Sequence, residues 1–275
     1  MIKTLRWFIL CLLFPSVSYA QLIHEVIGAD AHMQGRISSV INGAFAVVNN
    51  PSQMSWNKNW QMGLYNEQRY FIKQLRLSNI SVVVPTKIID VGASISYYGF
   101  EDFNQQRYTV SASKKINQNL SIGVQLNSIH TNINHYGNVQ TFVIGGGLTY
   151  KPTDRILLGF TIYNPNQKKI SSNISDDLPT YARFGMEAKI SNKVYTLLEV
   201  EQILNETLTP RAAIRYEPHK RVRLAIGFSG HPTVFNYGAG LKISQFIIDM
   251  SASTNPRLGS SYQLSLRFPN LSDKN

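Results

Sequence analysis

Two short charge patterns carry the most chemistry in this chain. Glu199 and Glu201 are two residues apart, and Arg211 and Arg215 are four apart. In an extended chain, side chains two or four apart share a face. Only the short segment 204–208 separates the two runs, so antiparallel pairing would set the carboxylates against the guanidinium groups. Such a cluster can select or gate ions, or it can be an ion-pair network that fills an interior. The structural reading is favoured, because charge networks commonly serve structure.

Other chemistry is thinly represented. His130 and His135 flank Thr-Asn-Ile-Asn, but no third ligand stands at a spacing that would complete a metal site. No Gly-x-Ser-x-Gly or His-Glu-x-x-His motif occurs. Gly145-Gly146-Gly147 lies in an alternating run and opens no helix, so it predicts close backbone approach rather than a phosphate cradle. Cys11 is the only cysteine. The expectation is a protein that is not an enzyme and has no cofactor or metal.

The elements that would position the charges repeat along the chain. From Trp60 onward, apolar and polar residues alternate with period two through about 14 candidate strands. Among them are residues 60–67, 73–84, 140–150, 194–203, 209–217 and 261–268. In the second, Leu75 and Leu77 fall out of phase with Ile80, Val82 and Val84, which predicts a bulge near Ser78-Asn79. Tight polar connections such as Pro85-Thr86-Lys87, Asn117-Gln118-Asn119 and Pro152-Thr153-Asp154 alternate with looser loops, the longest at 164–179. That alternation fits a transmembrane antiparallel up-and-down β-barrel, all-β, with short turns at one end and longer loops at the other.

The faces sort by parity. Ile156, Leu158, Phe160 and Ile162 share one face, and so do Val222, Leu224, Ile226 and Phe228. Arg183, Glu187 and Asp249 fall on the other, which would line a lumen, because a charge at the bilayer midplane costs roughly 2–4 kcal/mol. The closing strand shows the same split: Tyr262, Leu264, Leu266 and Phe268 against Gln263, Ser265 and Arg267. Its apolar set, ending on an aromatic, is the expected assembly signal. Charged residues make up 16% of the chain, low beside the roughly 25% of soluble domains.

The N-terminus reads differently. Residues 1–20 form a secretory signal: Lys3 and Arg6, an apolar core, then Ser18-Tyr19-Ala20. Removing Lys3 and Arg6 takes the formal net charge from +11 to +9. For an exported chain this predicts lipopolysaccharide, acidic surface partners or anionic solutes rather than nucleic acid. Residues 21–59 are rich in small residues and asparagine, and Asn50 with Pro51 marks a short helical start. Gly43, Phe45, Asn50, Pro51 and Trp56 would make this segment a plug packed against the inner wall. The barrel would then span 60–268, with a polar tail at 269–275.

The run Gly43-Ala44-Phe45-Ala46-Val47-Val48-Asn49-Asn50-Pro51-Ser52-Gln53-Met54-Ser55-Trp56-Asn57 resembles the N-terminal signature of the FadL/PorV-like outer-membrane barrels. The stretches 114–124, 151–160 and 217–228 resemble that group's turns and the strands after them. The resemblance implies a 14-stranded barrel with its N-terminal segment folded inside, in the outer membrane of a Gram-negative bacterium. It also implies either a partner-binding role of the PorV or PorQ kind in type IX secretion, or transport of hydrophobic or anionic small molecules. Fatty-acid transporters of this group capture substrate on long apolar loops. Here the longest loop is polar, with Gln167, Lys168, Lys169 and Asp176. That departure predicts the secretion-associated role, with envelope or secreted protein partners, and leaves transport as the alternative.

Overall fold

The computed structural model describes residues 26–135, 137–171 and 174–269. The expected signal at 1–20 and most of the expected tail lie outside these residues. The strands are β1 (Gln61–Gln68), β2 (Arg76–Val84), β3 (Asp90–Gly99), β4 (Phe103–Lys115), β5 (Leu120–Ile133), β6 (Gly137–Thr153) and β7 (Ile156–Tyr163). After the small hairpin β8 (Lys169–Ser171) and β9 (Ile174–Asp177) come β10 (Tyr181–Lys189), β11 (Val194–Ile203) and β12 (Thr209–His219). The last four are β13 (Val222–Ser229), β14 (Val234–Ile243), β15 (Phe246–Asn255) and β16 (Gly259–Pro269). β8 and β9 pair only with each other; the other strands pair antiparallel in sequence order, β7 with β10, and β1 pairs with β16 from Gln61↔Pro269 to Gln68↔Tyr262. The result is a closed barrel of 14 strands.

Its solubility pattern is inverted. Ile80, Ile95, Val110, Val124, Ile226 and Met250 are exposed on the outside, while Ser81, Ser94, Thr109, Asn127 and Ser265 are buried inside. Leaving one large apolar side chain in water forfeits about 1.5–3 kcal/mol, and this band runs round the whole wall. Hydrocarbon is the solvent that removes the penalty, as in transmembrane barrels. None of the helices among the described residues is long and apolar enough to cross a membrane; the crossing is made by strands.

The bulge expected near Ser78-Asn79 is absent. β2 keeps register with β1 from Gln61↔Val83 to Gln68↔Arg76, and with β3 from Leu77↔Tyr98 to Val84↔Val91. Lys73–Leu75 is a separate 3-10 turn. Leu77 and Val83 point inward, onto the N-terminal segment. The phase therefore never breaks: two inward positions are apolar because they meet an apolar neighbour rather than water. Register irregularities do occur at Tyr216/His219 and Tyr150/Thr153, beside tight turns. The segment 164–179, expected as a plain polar loop, carries the β8–β9 hairpin.

Candidate functional site: the occupied lumen

Residues 26–57 lie inside the barrel and are almost entirely buried. They form α1 (Ala29–Met33), α2 (Ala46–Asn49) and a 3-10 helix at Pro51–Trp56. None of these helices is long enough to be stable alone, so their order depends on the wall around them. Phe45, Val47, Val48 and Met54 pack with the inward Tyr65, Leu77, Val83 and Tyr98. Val26, Ile37, Val40 and Ile41 pack with Leu197 and Ala213 on the other side.

Polar contacts fix the segment's position. Ser52 Oγ lies 2.7 Å from Thr149 Oγ1, and Ser55 Oγ 2.8 Å from Ser113 Oγ. Trp56 Nε1 donates to Ser121 Oγ at 2.9 Å, while the Lys115 ammonium sits 4.1 Å above its ring. Ser111 Oγ donates to the Val47 carbonyl at 2.7 Å. Buried backbone groups outside regular ladders need such partners.

Asn50 caps the 3-10 helix, accepting from Ser52 N at 3.2 Å, and donates to the Ser39 carbonyl at 2.6 Å. Its bonds, like those of Asn49 to the Ile27 backbone at 3.0 and 2.7 Å, stay within the segment. Asn57, by contrast, reaches the wall, accepting from Gln61 Nε2 of β1 at 2.9 Å. The wall is otherwise reached by serines and by backbone. Close approach is made where the wall lacks side chains: a Cβ on Gly147 would lie 1.9 Å from Asn50 Oδ1, and one on Gly159 2.1 Å from the Ser39 carbonyl. Gly43, with φ of 118°, lies beside Arg267, whose Nη1 would be 3.3 Å from a Cβ there.

The charge cluster is built across three strands rather than two. Glu199 stands directly opposite Arg211, and Glu201 opposite Arg183. Arg211 pairs with Glu199 at 2.8 Å and with Glu201 at 2.5 Å, and Arg183 Nε donates to Glu201. Glu199 Oε2 also accepts from Ser38 N at 3.0 Å, Ser39 N at 2.8 Å and Ser39 Oγ at 2.6 Å. The network thus clamps the N-terminal segment.

Arg215 does not join Glu199 and Glu201, contrary to expectation. It pairs with Glu187 at 2.9 Å and Glu217 at 3.0 Å, and donates to Gln34 Oε1 at 3.0 Å. Four residues along the strand carry it a full turn-ward step beyond the Glu199 pair. Parity places Arg183 inward, but its partner follows only from the β10–β11 register, Arg183↔Glu201. A second cluster was also missed: Arg267 pairs with Asp249 at 2.6 Å and with Asp30 of α1 at 2.9 Å. Parity turns both Asp249 and Arg267 inward, and that is the signal the sequence offers for this pair.

On the closing strand, Tyr262 and Leu264 are exposed and Gln263, Ser265 and Arg267 are buried. The Phe268 ring meets Phe246 edge-on at 5.1 Å. His130 packs against Tyr108 at 5.5 Å, and the described residues hold no group of three or more metal-ligating side chains.

Two cavities flank the segment. A turn-end cavity of about 350 Å³ is lined by Ile41, Gln53, Leu157, Lys220, Arg221 and Lys242 among others. A loop-end cavity of about 60 Å³ lies between His32, Arg36, Glu67 and Ser253. Residues of the segment line both: Asp30, Ile41 and Gln53 the first, His32 and Arg36 the second.

No protein-family model matches the sequence, and no curated protein matches it. Solved structures do match the fold. The CymD monoaromatic hydrocarbon channel superposes with a TM-score of 0.68 at 14% identity, covering 90% of this chain and 97% of that one. A Pseudomonas aeruginosa FadL homologue gives 0.67 at 13%, covering 91% and 100%. The Pseudomonas putida toluene transporter TodX gives 0.65 at 13%, covering 90% and 98%. At such identities the likeness is one of fold. It gives no support to the type IX secretion role or to a specifically PorV-like identity.

Proposed function

We propose that this chain is an outer-membrane transporter or channel for small hydrophobic or anionic molecules, held closed by its own N-terminal segment. The observation that carries this reading is the fold match, which runs nearly end to end along hydrocarbon channels and transporters. It favours transport over the partner-binding role that the polar loop at 164–179 first suggested. The apolar outer band would face lipid, the loop end lipopolysaccharide, and the tight turns the periplasm.

The closed wall supports a route along the lumen. Neighbouring strands pair in sequence round the barrel with no strand missing. A solute passing between the two cavities would meet residues 26–57, so passage requires that segment to shift. Its clamp by Glu199 gives a defined closed state, and conduction would be a population shift away from it.

Proteoliposomes test the reading. With toluene as probe, uptake should exceed that of protein-free vesicles while small inorganic ions leak little. Equal toluene uptake in both, together with stable co-purification of another envelope protein, would return the partner-binding role. Free ion conductance by the intact protein would indicate a general porin.

A further inference from the structure

The turn-end cavity is more than space left beneath the N-terminal segment. We infer that it is a binding site for small organic anions, in which Lys220, Arg221 and Lys242 hold the charged group and Ile41, Leu157 and Ile247 hold the apolar body. The inference rests on the transport reading for its meaning and names a solute class and a location for it.

The charge balance carries the argument. Each carboxylate lining the cavity is already engaged by an arginine: Glu187 and Glu217 by Arg215, and Asp30 by Arg267. Arg223, which also lines the cavity, lies 3.5 Å from Asp249. The remaining cations have no such counter-charge. Lys220 and Arg221 form the β12–β13 turn, and Lys242 lies beside it, its N–H donating to the Arg221 carbonyl at 2.8 Å. Neither lysine nor Arg221 makes an ion pair among the described residues. Four carboxylates (Asp30, Glu187, Glu217, Asp249) against three arginines (Arg215, Arg223, Arg267) leave one negative charge, so the three cations on the rim still give the mouth a net positive charge that attracts anions.

Aliphatic side chains also line the cavity, one of them beside a cation, since Ile247 is the cross-strand partner of Lys242. Ile41 comes from the N-terminal segment, Leu157 from β7 and Ile247 from β15. A volume of about 350 Å³ lies at the lower end of the range for small-ligand sites, and the aliphatic side chains stand among polar ones such as Asn42, Gln53 and Gln61. Fully hydrated inorganic anions would gain from the cations and nothing from Ile41, Leu157 and Ile247. A compact carboxylate with an apolar body uses both. Because Ile41 belongs to the segment, an occupied site would also report on the segment's position.

Calorimetric titration of the full-length protein in detergent tests the site, with benzoate as probe, benzyl alcohol as its neutral counterpart and inorganic phosphate as an anion without an apolar body. Benzoate should bind, and benzyl alcohol and phosphate should bind more weakly. The triple variant K220Q/R221Q/K242Q should lose about tenfold or more in benzoate affinity, the scale of a hydrogen bond to a charged group. Its folding should be unchanged, since no ion pair is removed, and heat-modifiable migration on a gel checks this. Equal binding of benzoate and benzyl alcohol, equal binding of benzoate and phosphate, or an unaltered triple variant would overturn the inference. Toluene uptake by the same proteins keeps the two readings apart. Uptake without benzoate binding removes the site and leaves transport; benzoate binding without uptake does the reverse.

Discussion

Asn50 lies so close to Gly147 that a methyl group on the glycine would sit 1.9 Å from the asparagine Oδ1. The wall of β6 and the start of the 3-10 helix are therefore fitted to each other at backbone distance. A side chain at 147 has no room unless the segment lifts. Gly146, one residue away, has only the Gly123 carbonyl within reach, at 3.4 Å.

This pair gives the first prediction. Gly147→Val should destabilise the folded barrel by about 1–3 kcal/mol, the usual cost of overpacking. Gly146→Ala should change stability little. Urea titrations of both proteins in lipid vesicles, followed by Trp fluorescence, check this; equal loss in the two would mean that the segment does not press on β6.

The buried charges give the second. Glu201→Gln removes one partner of Arg183 and Arg211, whose side chains are 1% and 3% exposed. Breaking a buried pair on one side costs about 3–5 kcal/mol, because the other charge is left uncompensated. Glu217→Gln removes a partner that is 35% exposed, so its cost should stay below about 1 kcal/mol. The same urea titration ranks the two variants, and the reverse order would remove the clamp role assigned to the network.

The closing strand gives the third. Leu266 pairs with Leu64 on one side and Ile248 on the other, and Phe268 meets Phe246. Deleting 266–268 should abolish the heat-modifiable folded form, while deleting 271–275 should not. Phe268→Ala should weaken folding, since an aromatic pair contributes about 0.5–1.5 kcal/mol beyond its area. Indistinguishable folding of the two truncated proteins would show that closure does not depend on these residues.

The wall was readable in the sequence because lipid outside and polar groups inside impose period two on every strand. The same rule misled at Leu77. There the inner side is apolar, and parity alone cannot tell lipid from a buried segment. Pairings across strands were harder still. Arg183 and Glu201 were each placed inward, but their contact follows from the β10–β11 register, which alternation leaves open. Arg215 shows the converse, since sharing a face with Arg211 did not bring it to the same carboxylates. The internal bonds of Asn49 and Asn50 depend on a fold of 26–57 that has no periodic signature.

The claim that residues 26–57 close the lumen can be tested most directly by single-channel recording in planar bilayers. The intact protein is compared with one lacking residues 28–57. The segment contributes Phe45, Val47, Met54 and others to packing against the wall, so its removal should open a lasting conductance and lower the thermal midpoint together. A truncated barrel that folds, conducts no more than the intact one and melts at the same temperature would contradict it.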